Sequence, residues 1–131
     1  MSYLSENSLC PCDSGQSYVL CCQPYLLGDR LAGRAELFMR SRYTAYVLQD
    51  EAYLLATWHP DTRPVTLHFD QEQSTKWLGL SVNRAVEIDS KHSEVEFVAR
   101  YKINGRAFRM HEISRFERID GRWFYLDGVV K

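Results

Sequence analysis

The 131-residue chain lacks any apolar run approaching the roughly 18 residues that a membrane-crossing helix requires. It also lacks a charge bias. With 16 basic and 17 acidic residues the formal net charge is -1, so no general electrostatic attraction to nucleic acid is expected. Residues 1–9, MSYLSENSL, have neither the basic start nor the hydrophobic centre of a secretory leader, which makes the cytoplasm the expected location. A glycine-rich phosphate loop, a nucleophile elbow, internal repeats and low-complexity tracts are absent as well. Cysteine is scarce and concentrated: all four lie in CPCDSGQSYVLCC, residues 10–22.

In a reducing compartment, clustered cysteines point to a metal ahead of disulfides, with redox sensing as the weaker rival. The spacing is Cys-x-Cys, eight residues, then Cys-Cys. Two close pairs joined by a turn-forming Asp-Ser-Gly can converge on a tetrahedron at small entropic cost. Zinc is the expected cofactor. Four thiolates would leave it no open position for water, so its role would be structural.

The remaining sequence, in a chain that is 45% hydrophobic, is long enough for one core. QPYLLGDRLAG reads as a connector. Residues 34–48 then carry Ala35, Phe38, Met39, Arg42, Tyr43, Ala45 and Tyr46 at helical spacing. Asp50 is placed to cap a second helix bearing Tyr53, Leu54, Thr57 and Trp58, and His59-Pro60 stops it. The DQEQST run reads as loop or a single helical turn. From Lys76 the period changes to two, with Leu78, Leu80, Val82, Val86 and Ile88 sharing one parity of a long strand. Further strands are expected over 94–103, 106–119 and 122–127. Asn104-Gly105 and Asp120-Gly121 are signals for type I′ hairpins. Helices followed by an antiparallel meander make the fold class α+β.

Two-residue turns set a register in which Tyr101 faces Phe108, Ala99 faces Met110, Phe97 faces Glu112 and Val95 faces Ser114. The second turn sets Phe116 opposite Tyr125 and Ser114 opposite Asp127. An aromatic sheet face thereby receives Glu112, Ser114 and Asp127. A carboxyl group there loses solvation and can serve as general acid or base. More often it has a structural partner, and Arg42 on the facing helix is the expected one. His111 has the opposite parity to Glu112, which disfavours a dyad of the two. Arg40 reads as surface charge. Arg100, Arg109 and Arg115 fall with Glu94, Glu96 and Glu117 on the outer face.

CPCDSGQSYVLCC resembles the SEC-C zinc motif found at the C-terminus of the SecA translocation ATPase, which implies one zinc on Cys10, Cys12, Cys21 and Cys22. It differs in having Asp13 where the usual motif has glycine, and 16–20, QSYVL, where it has several lysines. MRSRYTAYVLQDEAYLLATWHP, TKWLGLSV, FVARY, EISRF and RWFYLDG resemble the YchJ-like family of bacterial proteins. That family joins SEC-C motifs to a cone-shaped nuclear transport factor 2-like (cystatin-like) domain. The resemblance implies a zinc knuckle with its connector over 1–27 and a cone over 28–131. Members commonly end in a second SEC-C motif, which the sequence through Lys131 does not show. The family brings a fold and no settled activity.

Two functional readings follow. The leading one is a zinc-knuckle binding or adaptor protein. Its knuckle docks a protein partner and its cone holds a small apolar ligand or partner among Arg42, Tyr46, Trp58, Glu112, Ser114, Tyr125 and Asp127. An outer sheet face of this kind also suits a homodimer. The alternative is a small-molecule isomerase or dehydratase in which Glu112 and Asp127 act as acid and base, with His59 as a third candidate.

Overall fold

The chain was analysed as a computed structural model that describes residues 8–69 and 75–131. The expectation for Asp70 to Ser74, most of the DQEQST run, lies outside the described residues.

The cysteine stretch folds around a 3-10 turn at Tyr18–Leu20 and continues into a one-turn helix, α1, at Gln23–Leu26. Pro24 sits in the first turn of α1, where its missing N–H costs nothing. The connector expected from QPYLLGDRLAG is therefore partly helical.

Helix α2 spans Ala35–Leu48 and ends where Gln49 turns left-handed at φ 56°. Helix α3, Glu51–Ala56, starts at once, because the Asp50 carboxylate accepts from the Tyr53 N–H at 3.1 Å. The buried positions of α2 are Ala35, Phe38, Met39 and the whole run from Ser41 to Ala45. That is wider than one packing face needs. The width has a cause: α2 carries the sheet on one side and receives the cysteine knuckle and α3 on the others. The Thr44 hydroxyl lies 3.6 Å from Cys10 Sγ, and Ser41 Oγ lies 2.7 Å from the Tyr53 hydroxyl.

Four antiparallel strands follow in sequential order: β1 at Thr75–Glu87, β2 at His92–Ile103, β3 at Arg106–Ile119 and β4 at Arg122–Val130. Both hairpins have the positive φ values of type I′ turns, 52° and 78° at Asn104-Gly105 and 51° and 81° at Asp120-Gly121. The β2–β3 register is the expected one throughout, with Phe97 opposite Glu112 and Val95 opposite Ser114.

Bulges depart from the simple alternation in two strands. In β1 the register shifts between Trp77 and Gly79 and again between Val82 and Arg84. Leu80 stays buried, but Leu78 at the first shift and Ile88 beyond the second are exposed. In β3–β4, Arg115 pairs with Asp127 and Phe116 with Tyr125, leaving Leu126 as the extra residue.

The core forms between α2 and the concave face of the sheet. Phe38, Met39, Tyr43, Leu80, Val95, Phe97, Ala99, Phe116 and Trp123 form one buried cluster together with Tyr18 and all four cysteines. The cysteine stretch thus shares the core of the sheet domain. Among the described residues no helix is long and apolar enough to cross a membrane.

Candidate functional site

Four buried thiols converge at the N-terminal end. The Sγ atoms of Cys10, Cys12, Cys21 and Cys22 all lie within 4.8 Å of one another. A zinc ion at about 2.3 Å from each sulfur of a tetrahedron would separate the sulfurs by about 3.8 Å. The Cys12–Cys21 distance of 3.6 Å and the Cys21–Cys22 distance of 4.0 Å bracket that value. The donor set therefore fits a tetrahedral metal ion, and the cluster is the one group of this kind among the described residues.

Electrostatics agree with that reading. Hydrogen bonds from Cys10 and Cys22 push the Cys12 thiol down, whereas burial pushes Cys21 up to about 11. Cys22 is also raised, chiefly by its contacts with Cys10 and Cys12. The thiolate is favoured at Cys12 while Cys21 and Cys22 hold their protons, since close negative charges repel one another until a cation compensates them.

Two side chains fasten this knuckle to the sheet domain. Arg40 donates to the Cys12 carbonyl at 2.6 Å while pairing with Glu36 at 3.2 Å, so the residue expected to be mere surface charge is an anchor. Asp13 holds φ 63°, a conformation that favours glycine, and its carboxylate accepts from the Leu80 N–H at 2.9 Å. Sequence reasoning noted Asp13 as a departure from the motif without seeing its use.

The second site is a cavity of about 280 Å³ between α2 and the sheet. Met39, Tyr43, Trp77, Phe97 and Met110 supply apolar wall, and Arg42, Tyr46, Glu112, Ser114 and Tyr125 were anticipated there. Three expectations need correction. Asp127 lies on the outer face, half-exposed, where Arg115 Nε and Nη2 grip it at 2.6 and 2.5 Å. The cause is the bulge at Leu126, which reverses the parity beyond it and places Gly128 opposite Ser114. Trp58 does not line the cavity but packs edge-on behind Tyr125 at 5.0 Å. His59 is outside it too. Its buried ring meets Glu117 at 2.5 Å through Nε2 and accepts from the Asp61 N–H through Nδ1 at 3.1 Å, pinning the end of α3 to the outer sheet face.

The expected Arg42–Glu112 pair does not form. Arg42 Nη1 donates to the Leu54 carbonyl at 2.9 Å and the Thr57 hydroxyl at 2.5 Å. Its guanidinium lies 5.1 Å from the Trp58 ring and 4.8 Å from that of Tyr125. Burial lowers its affinity for the proton. Glu112 accepts from Ser114 Oγ at 2.5 Å and lies across Gly128, where an added Cβ would overlap the carboxylate. That requirement for glycine carried no readable signal in the sequence. Burial and the nearby Glu112 charge together raise the Tyr125 phenol well above its ordinary range.

Comparison with known proteins finds matches for both parts of the chain. The model of the middle, NTF2-like domain of YchJ matches residues 34–128, and the SEC-C motif matches residues 7–24. A UPF0225 protein of Ralstonia nicotianae is 51% identical, covering 95% of this chain and 92% of its own length. A UPF0225 protein of Chromobacterium violaceum is 52% identical over 92% of each. The solution structure of a SEC-C motif-containing protein from Rhodopseudomonas palustris is 35% identical, with a TM-score of 0.84 over 93% of this chain and 98% of that one. The crystal structure of another from Psychrobacter arcticus is 29% identical, with a TM-score of 0.75 over 93% of this chain and 82% of that one. A SEC-C knuckle fused to an NTF2-like domain, matched across nearly the whole length, means that this chain belongs to the YchJ-like family of UPF0225 proteins.

Proposed function

We propose that this chain is a cytoplasmic binding protein in which a structural zinc on Cys10, Cys12, Cys21 and Cys22 stabilises a cone whose cavity holds a small, mostly apolar molecule. The observation that carries the reading is the cavity itself: about 280 Å³, walled by aromatic and aliphatic side chains, with Arg42, Glu112 and Ser114 as its polar features. The zinc would supply cross-linking and no chemistry, because four sulfurs complete its coordination. The knuckle remains the surface at which a protein partner would dock.

Native mass spectrometry of protein purified gently from cells tests both parts together. The expected species carries one zinc and one retained small molecule per chain. Protein with much less than one equivalent of zinc, or with no retained mass and no shift on adding apolar compounds, would count against the reading.

One observation favours a second reading, a proton-transferring isomerase or dehydratase. Glu112 faces the cavity and has no arginine ion pair among the described residues. With Asp127 on the outer face, Glu112 would have to act as a lone base. Exchange of a bound compound's C–H with D₂O by the natural protein, and not by Glu112→Gln, would support it.

A further inference from the structure

Arg42 and Glu112 line the same cavity, yet each is left with neutral partners. Arg42 is only 5% exposed. Its contacts are a carbonyl, a hydroxyl, the Tyr46 hydroxyl and two ring faces. These groups solvate a guanidinium but do not neutralise it. Glu112 receives the hydroxyl of Ser114, itself only 2% exposed. Among the described residues no carboxylate pairs with Arg42 and no cationic side chain pairs with Glu112. In a medium where charges interact strongly, both poles remain open to a bound molecule.

A molecule of single charge satisfies one pole and meets repulsion from the other. An anion placed at Arg42 shares its enclosure with the Glu112 carboxylate, and a cation at Glu112 shares it with the guanidinium. A molecule carrying both signs compensates both. Its remaining surface must suit walls built from Met39, Tyr43, Trp77, Phe97 and Met110. Aromatic faces of this kind also favour an ammonium group. The volume admits a molecule displacing roughly nine waters at about 30 Å³ each.

We propose that the cavity takes a small zwitterion of the α-amino acid class with an apolar or aromatic side chain, its carboxylate directed to Arg42 and its ammonium to Glu112. This rests on the reading of the cavity as a small-molecule site and assigns that molecule its chemistry.

The test uses the full, metal-loaded chain and four kinds of probe followed by calorimetry and by amide shifts of cavity residues. L-Phenylalanine and L-leucine carry both charges, phenethylamine only the ammonium, phenylpropionate only the carboxylate, and ethylbenzene neither. The expected result is that one of the two amino acids binds at least about tenfold more tightly than every other kind of probe, as befits a charge-assisted contact at each end. Glu112→Gln should forfeit about tenfold for the amino acid and nothing for phenylpropionate. Equal or tighter binding of ethylbenzene or of a singly charged probe overturns the zwitterion while leaving the cavity reading intact. No binding by any probe overturns both. Should Glu112→Gln fail to fold, the ranking of probes on the natural protein decides alone.

Discussion

Gly128 illustrates how one hydrogen atom in place of a methyl group decides the position of a charge. The Glu112 side chain lies where a Cβ on residue 128 would stand. Gly128→Ala is therefore expected to displace Glu112 from Ser114 rather than to disrupt the sheet, since the flexible carboxylate yields before the backbone does. We expect a modest loss of stability, about 1 kcal/mol by denaturant melts, and a Glu112 side chain shifted in carboxyl NMR. An unmoved Glu112 resonance would contradict this. Arg42 shows the opposite situation, a charge fixed by many neutral contacts. A buried cation of this kind is costly to leave unpartnered, which is why the sequence pattern pointed to Glu112 as its mate. Carbonyl, hydroxyl and ring contacts solvate it instead without neutralising it, and such contacts leave no mark in a single sequence.

At the level of elements, the decisive devices are the bulges and the Asp13 contact. The two hairpins and the β2–β3 register were legible because Asn-Gly and Asp-Gly dictate the turn, and the turn dictates every pairing until an extra residue intervenes. Leu126 is such a residue. Nothing about leucine announces a bulge, so Asp127 was assigned to the cavity and the structure places it outside with Arg115. The cysteine cluster was legible from spacing alone, whereas the small helix α1 was hidden by the proline that its first turn tolerates. Asp13 joins two elements that are far apart in sequence by bonding the Leu80 N–H. Asp13→Ala removes a charge-assisted acceptor and is expected to cost about 1–2 kcal/mol. Metal content should stay unchanged, because the four sulfurs remain. Loss of metal together with stability would instead make Asp13 part of the metal site.

Across the whole molecule, the knuckle and the cone share one core, so their fates are linked. Tyr18 and the four cysteines pack in the same cluster as Phe38, Tyr43 and Phe116. Tyr43 spans both sites, since it lines the cavity and feels the charge of Asp13 and Cys12. Structural zinc in isolated knuckles contributes on the order of 10 kcal/mol at neutral pH. Chelation, or Cys22→Ser, is expected to lower the melting temperature of the whole chain and to weaken ligand binding in the cavity. Separate melting of the two parts, with the cavity unaffected, would disprove the linkage. Without a cation Cys21 holds its proton up to about 11, so metal uptake at neutral pH must expel thiol protons. Acid competes with the metal, and the stability it confers should be lost as pH falls.

A sheet in sequential order has two outer strands, β1 and β4. Residues 57–59 cover part of β4, through the Tyr125 N–H to the Thr57 carbonyl and the His59 N–H to the Tyr125 carbonyl. The Asp13 carboxylate occupies the Leu80 N–H of β1. If the cysteines hold a metal, stripping it would release that guard and bare the Leu80 amide at the sheet edge, where a neighbouring molecule can begin to add its own strand. For a cell starved of zinc, the hazard in this protein would then be clumping, set by how crowded the chains are as much as by how stable each one is.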